Sequence, residues 1–116
     1  MQYLLLIYDN EKEFESMPKD AAGKIMSGYT RFTESIKSSG HYVGSNRLQP
    51  VGSATTVRVR SGKPVTTDGP FAETREQLGG YYLIEAEDLD DALRIAAQIP
   101  SAQIGSIEVR PIWTMS

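Results

Sequence analysis

The chain has 116 residues, and its 15 acidic and 12 basic side chains give it a net charge of −3. A chain of this length has room for one hydrophobic core, so we expect a single domain over residues 1–116. Because the sequence contains no cysteine, disulfides, zinc–thiolate sites and thiol nucleophiles are excluded. The negative net charge argues against nucleic acid as a partner, since such binding depends on clustered lysine and arginine.

The start of the chain predicts a strand and no membrane segment. The apolar run at residues 3–8 is too short to cross a membrane, and it lacks the basic start and cleavage site of a signal peptide. A cytoplasmic protein without a membrane partner is therefore expected. Residues 1–8 are predicted as the first strand, bounded by a polar stretch at residues 9–16.

A long amphipathic helix follows, between a turn signal at residues 17–20 and Gly40. Glycine often ends a helix in the left-handed conformation. Apolar side chains recur between these limits with the three- and four-residue spacing of a helix, at Ala22, Ile25, Met26, Tyr29, Phe32 and Ile36.

The middle of the chain is predicted to be extended and to contain a hairpin. Residues 41–48 form one extended segment. Residues 54–60 alternate valine and threonine with arginine and threonine, which is the two-residue period of a strand. The tight turn Ser61-Gly62 joins them to residues 63–67, as in a hairpin. Residues 68–80 then break the pattern.

The last three elements are predicted as a strand, a helix and a strand, over residues 81–87, 89–99 and 106–113. Asp88 is expected to cap the helix, and Pro100 is expected to stop it. With the hairpin set apart, the whole order is that of a split βαβ arrangement. The predicted fold is therefore α+β, a ferredoxin-like sandwich with an extra β-hairpin.

The predicted sheet is apolar on both faces, although two helices can cover only one of them. The first strand carries Tyr3, Leu5 and Ile7 on one face and Leu4, Leu6 and Tyr8 on the other. A sheet that is solvated on one side would alternate apolar and polar residues instead. We therefore expect the uncovered face to be buried against a second copy, as a homodimer. The alternative is a monomer in which the loop 68–80 folds over that face.

The sole histidine, His41, is the natural candidate for a catalytic acid or base, because its unperturbed pKa lies near neutrality. Asp68 opens a rigid Asp-Gly-Pro turn that could hold its carboxylate at the end of the sheet and orient His41. The structural alternative is that His41 only hydrogen-bonds a loop and that Asp68 only makes a turn. The spacing of the two residues leaves both interpretations open.

Three further residues are candidates for contact with a small-molecule ligand. Arg58 lies on the polar face of its predicted strand and could bind an anionic group. Phe71 either anchors its loop in the core or contacts the ligand, and Tyr82 either lines an aromatic pocket or packs in the core. No metal site is predicted, because one histidine and scattered carboxylates lack a ligand spacing.

Residues 68–86 read DGPFAETREQLGGYYLIEA. This stretch resembles the signature of the DGPF proteins, also called DGPFAETKE proteins, of the YCII-related family, with Arg75 where the signature has lysine. Residues 39–42, 48–50, 54–60 and 107–111 also resemble family segments, so the resemblance spans nearly the whole chain. It implies a ferredoxin-like fold that assembles as a dimeric α+β barrel.

For function, the resemblance implies less. The wider YCII-related group has been proposed to be enzymatic because of a His–Asp pair whose histidine lies in the first helix. A rough register places Tyr29 at that position here. His41 is the histidine of the DGPF branch, and Asp68 matches the branch signature.

Two classes of function follow. The first is an enzyme that performs isomerisation or elimination on a compact cyclic or dienone-like molecule bound between the open sheet face and residues 68–80. His41 would move the proton, Asp68 would orient it and Arg58 would hold an anionic or carbonyl oxygen, with no cofactor needed. The second is a non-catalytic ligand-binding or regulatory dimer, linked to transcription because relatives are often encoded near extracytoplasmic-function sigma factors.

Overall fold

The computed structural model describes residues 1–114. Within this range six strands and three helices follow one another, with short 3-10 turns at Val51–Ser53 and Pro100–Gln103. Their bounds are β1 (Gln2–Asp9), α1 (Glu11–Glu15), α2 (Lys19–Ser38), β2 (Tyr42–Arg47), β3 (Thr55–Arg60), β4 (Lys63–Asp68), β5 (Gln77–Glu85), α3 (Leu89–Ala96) and β6 (Ser106–Pro111). Within this range, no helix is both long and apolar enough to cross a membrane.

The strands form two separate antiparallel sheets. The main sheet has the order β2-β5-β1-β6, and the hairpin β3-β4 is a second sheet of two strands. A split βαβ unit gives this order when each of its helices crosses between non-adjacent strands. The predicted α+β, ferredoxin-like fold with an extra hairpin is confirmed.

Most of the predicted elements are present, but several bounds differ. Helix α3 ends at Ala96, before the predicted stop at Pro100, and β6 ends at Pro111, two residues before its predicted end. The polar stretch 9–16 contains the short helix α1, because the Asn10 side chain accepts a hydrogen bond from the Glu13 amide and caps it. Strand β5 begins at Gln77, four residues before the predicted start. The register between β1 and β5 shifts after Ile7, which pairs with Gly80, because Tyr8 pairs with Leu78 and leaves Gly79 of β5 as the bulged residue.

The helices α2 and α3 cover one face of the main sheet and form the hydrophobic core with it. The strands contribute Tyr3, Leu5, Ile7, Tyr82 and Ile84, and the helices contribute Phe32, Ile36, Ala92, Ile95 and Ala96. Phe32 meets Tyr82 edge to face, with their ring centroids 5.1 Å apart. The core is therefore a single layer between the sheet and the two helices.

Among residues 1–114, no helix or strand covers the opposite face of the main sheet, which is largely apolar. Its half-buried side chains are Leu4, Leu6, Tyr8, Tyr81 and Leu83. This finding confirms the prediction that both faces of the sheet are apolar. Residues 70–75 are all exposed, which argues against the alternative that the loop covers this face within one chain. We call this surface the open face.

The hairpin turns at Ser61 and Gly62, both with positive φ (52° and 75°), as the two-residue turns of hairpins require. All six residues of β4 are exposed. Phe71, just beyond the hairpin, is 79% exposed. Phe71 therefore does not anchor its loop in the core of this chain.

Two glycine substitutions test this packing in opposite directions. A Cβ at Gly105 would lie 2.1 Å from the carbonyl oxygen of Tyr8, whereas a Cβ at Gly23 in α2 would meet nothing within 4 Å. We expect Gly105→Ala to lower the free energy of unfolding by about 1–3 kcal/mol through overpacking. Gly23→Ala should raise it by up to about 1 kcal/mol, because alanine favours helix. Urea denaturation measures both, and a Gly105→Ala variant as stable as the parent would contradict the close packing of Gly105, which precedes β6, on Tyr8.

Candidate functional site

A cavity of about 310 Å³ opens between the helices α1 and α2 and the adjoining ends of β1, β2 and β5. This volume is at the lower end of the range for small-molecule sites, roughly 300–1,000 Å³. Much of its wall is apolar, with Ile7, Phe14, Ile25, Met26, Leu48 and Tyr81 among its residues. The cavity therefore lies beside the helices α1 and α2, and Gln77, Gly79 and Gly80 of the segment 68–80 also line it. The predicted pocket between the open face and residues 68–80 stays a prediction.

Three polar residues from distant parts of the chain meet at this cavity. Asp9 is the last residue of β1, Tyr29 lies in the middle of α2, and Ser101 lies in the 3-10 turn after α3. Gly28 makes this approach possible, because a Cβ there would lie only 3.0 Å from the Pro100 side chain. The absence of a side chain at Gly28 thus lets the turn that carries Ser101 pack close to Tyr29.

Hydrogen bonds connect the three side chains in a row. The Ser101 hydroxyl donates to Asp9 Oδ2 over 3.1 Å. The Tyr29 hydroxyl lies 2.6 Å from Ser101 Oγ. Because the Ser101 proton points to Asp9, the Tyr29 hydroxyl is the donor in that second bond. We call this row the Tyr29–Ser101–Asp9 relay.

The pKa values of Asp9 and Tyr29 in the relay are higher than those of the same groups in water. Burial raises the pKa of Asp9, the nearby Glu76 adds to this rise, and the hydrogen bond from Ser101 opposes it. Asp9 Oδ1 is buried and has no hydrogen-bond partner among the described residues, which further disfavours the charged form. Burial also raises the pKa of Tyr29 to about 12. Asp9 is therefore the group that takes up a proton, and Tyr29 stays protonated at neutral pH.

His41 is held between α2 and α3 by two side chains. Its Nε2 lies 3.0 Å from Asp91 Oδ2, and its Nδ1 lies 2.7 Å from Ser39 Oγ. Asp91 also accepts hydrogen bonds from the Glu87 amide and from Arg94. The Glu87 amide, with His41 and Arg94, holds the pKa of Asp91 below its ordinary value. His41 thus joins the start of β2 to the start of α3.

The structure does not bring His41 and Asp68 together by a direct bond. Asp68 is exposed at the end of β4, where it pairs with Thr55. Within residues 1–114, no hydrogen bond or ion pair connects Asp68 to His41. The expected orientation of His41 by Asp68 is therefore absent from the single chain, because His41 bonds Asp91 instead. Their catalytic roles stay predictions.

The three predicted ligand-binding residues lie in two different places. The Arg58 guanidinium donates a long hydrogen bond, 3.4 Å, to the Phe71 carbonyl on the exposed hairpin side. Tyr82 packs in the core and also lines the cavity, and its hydroxyl lies 2.6 Å from Thr33 Oγ1. Of the three, only Tyr82 lines the cavity. Contact of any of them with a ligand stays a prediction.

Sequence reasoning missed the relay for a physical reason. Asp9 lies in a polar stretch, Tyr29 fits the apolar period of a helix, and Ser101 lies in a short connection. No local motif joins residues so far apart in sequence. The one signal was the family register, which placed Tyr29 at the histidine position of the wider group. Among residues 1–114, no three histidine, aspartate or glutamate side chains cluster as metal ligands would.

The fold and the cavity define a ferredoxin-like α+β domain with a buried polar relay beside its sheet. A family model described as the YCII-related domain matches residues 1–116. The chain is also 36% identical over 114 residues to an uncharacterized protein of Rhizobium meliloti (strain 1021), covering 97% of this chain and 92% of that protein. The chain belongs to the YCII-related family, and the predicted family membership is confirmed.

The buried carboxyl predicts a pH dependence of stability that Asp9→Asn removes. An aspartate has an ordinary pKa of 3.8, which we take for the unfolded chain, and the pKa of Asp9 is raised above it in the folded protein. Between these two values the folded protein holds a proton that the unfolded chain has lost, so the parent loses stability as pH rises through this window. Asp9→Asn should therefore be the more stable protein at neutral pH, and its advantage should shrink as the pH falls towards 3.8.

Urea denaturation of both proteins at a series of pH values measures this difference. An advantage of Asp9→Asn that disappears in acid supports a buried carboxyl with a raised pKa. A difference between the two proteins that stays constant with pH would contradict it.

Proposed function

We propose that this YCII-related protein is an acid–base enzyme for a small, mainly apolar molecule that binds in the cavity beside Asp9. One observation carries the proposal: a buried carboxyl with a raised pKa is connected through Ser101 to a hydroxyl on the cavity wall. A general base works best when its pKa lies near the working pH, and burial moves an aspartate in that direction. The proposed reaction class is isomerisation or elimination.

The relay transfers one proton in three concerted movements. A ligand O–H, or a C–H beside a carbonyl, gives its proton to the Tyr29 oxygen while Tyr29 passes its own proton to Ser101. Ser101 in turn passes its proton to Asp9. Asp9 ends neutral, Tyr29 and Ser101 keep their protons, and the ligand becomes an enolate or phenolate. Return of the proton to another atom of the ligand completes an isomerisation.

Charge at the cavity supports the same assignment. Arg47 lines the cavity at the end of β2, and a guanidinium can hold the oxygen on which the negative charge develops. Glu11 also lines the cavity, but its carboxylate accepts a hydrogen bond from the Val51 amide over 3.1 Å. Glu11 is therefore committed to fixing the loop after β2.

The predicted His41–Asp68 pair is a competing assignment for the same reaction class. It requires His41 to leave Asp91 or to act while bound to it, and it requires Asp68 to arrive from elsewhere. A second candidate function is a non-catalytic ligand-binding or regulatory module. The largely apolar cavity wall is the observation behind that candidate, since apolar side chains line most small-molecule binding pockets.

We also propose that two copies of the chain cover each other's open face in a homodimer. The observation behind this proposal is the row of half-buried side chains Leu4, Leu6, Tyr81 and Leu83, which two helices on the opposite side cannot cover. Contiguous apolar surfaces of this kind mark interfaces. A two-fold axis lets the same face serve both partners.

Deuterium exchange tests the relay without a known substrate. Wild-type protein is incubated in D2O with a panel of small ketones, dienones and phenols, and NMR follows exchange at carbon. Tyr29→Phe, Ser101→Ala and Asp9→Asn should each lower the exchange rate roughly 10²–10⁴-fold, the usual contribution of a positioned acid or base. Tyr42→Phe is the matched control, because it removes a tyrosine hydroxyl that bonds Ser45 outside the relay.

Two further variants separate the competing assignments. His41→Ala and Asp68→Asn should retain exchange within a few-fold of the parent. Loss of exchange in either of them, with activity kept in Tyr29→Phe, would overturn the relay in favour of the His41–Asp68 pair. Panel compounds that raise the melting temperature but show no exchange would support the binding module instead.

A further inference from the structure

Most side chains of the β3-β4 hairpin are exposed, so they pack little against the rest of their own chain. Val57 and Val59 of β3 are 62% and 63% exposed, and every residue of β4 is exposed. The register places Val57 opposite Thr66 and Val59 opposite Pro64, so these four side chains share one face. Arg58, Arg60 and Lys63 lie on the other face with Val65, and Asp68 lies at the end of the first face, opposite Thr55. We call residues 55–68 the arm, with an apolar face and a basic face.

The hydrogen bonds of the arm do not tie it to the main sheet. Beyond the ladder between its strands, the described bonds run from the Gly69 amide to the Ala54 carbonyl and from Thr56 Oγ1 to the Gly69 carbonyl. The bonds of Arg58 and Arg60 end on Phe71 and Val59. A two-stranded hairpin alone is marginally stable in water. An ordered arm therefore needs another surface.

The dimensions of the molecule agree with an extended arm. The chain measures 48 × 48 × 18 Å, with a radius of gyration of 16.2 Å. A compact domain of this length would have a radius of roughly 13 Å. A radius above that value agrees with a hairpin that extends away from the main sheet.

We propose that the arm packs on a second copy of the chain, with Val57 and Val59 against the partner's open face. This inference rests on the homodimer proposed above and adds the element that completes its interface. Four strands ~4.8 Å apart and about six residues long give the open face a projected area of ~400 Å². A standard interface buries about 800 Å² on each partner, so the arm supplies area that the sheet face lacks.

The charge of the arm also favours a second copy of the chain as its partner. The arm carries Arg58, Arg60 and Lys63 against the single carboxylate of Asp68, while the whole chain has a net charge of −3. A basic arm therefore approaches a partner that is acidic outside its own arm, and the attraction offsets the repulsion between two acidic chains. With the apolar face on the partner, the basic face stays in water.

Sedimentation velocity at micromolar concentration is the first test, on the full chain. We expect a dimer for the parent and a dissociation constant at least 100-fold higher for the double variant Val57→Lys, Val59→Lys. Both positions are exposed, so far-UV circular dichroism should stay unchanged. Leu93→Lys is the matched control, because Leu93 is 46% exposed on the helix layer and its substitution should leave the dimer intact.

Cross-linking between copies is the second test, and the lack of cysteine in the chain makes it unambiguous. Val59→Cys and Leu6→Cys variants that differ in tag mass are mixed and treated with a short bismaleimide. The expected product is a mixed dimer, and Leu93→Cys mixed with Leu6→Cys should give none.

The possible outcomes distinguish the proposed position of the arm from the proposed homodimer. A monomeric parent would overturn both proposals. A parent dimer that survives the double lysine variant and gives no mixed cross-link would overturn the arm alone. A cross-link only between two copies of Val59→Cys would place the arm on the partner's arm and contradict its position on the open face.

Discussion

The architecture depends on one constraint: a four-stranded sheet is apolar on both faces, and its helices cover one. In β1, Leu5 enters the core under α2 and α3, whereas Leu4 and Leu6 lie on the open face. Full burial of such a side chain is worth about 1.5–3 kcal/mol, so a row of them strongly favours a cover. The arm and the open face thus share one property: each has apolar side chains that its own chain leaves exposed or half-buried.

The covered side of the sheet determines the candidate site. Gly28 costs α2 about 1 kcal/mol relative to alanine. Its lack of a side chain leaves room for Pro100, which precedes the Ser101 that hydrogen-bonds Tyr29. Ser101 then bridges to Asp9 at the end of β1. The close packing of Gly105 against Tyr8 and Asp9 encloses the carboxyl on another side. The raised pKa of Asp9 is therefore a direct product of how the last turn and strand pack on the first strand.

The fold was predictable from the sequence to a large extent, and the site was not. Residues close together in sequence encode the apolar period of α2, the turn Ser61-Gly62 and the two apolar faces of the sheet. Such local patterns can be recognised from the sequence alone. Helix α1 was missed because its signal is a single cap at Asn10. His41 was a candidate because it is the sole histidine, but its partner Asp91 was not predictable, since it lies 50 residues away in sequence. The relay joins Tyr29 to Ser101 across 72 residues, and only tertiary packing reveals such a contact.

Hydroxyl-radical footprinting of the open face tests the central claim most directly. Oxidation of Leu4, Leu6 and Leu83 is quantified by mass spectrometry over a dilution series, with buried Leu5 and exposed Leu93 as internal references. If two copies cover each other's open face, its residues are protected like Leu5 at micromolar concentration and become reactive on dilution, as the second copy dissociates. Reactivity of Leu4 and Leu6 that matches Leu93 at every concentration would contradict it.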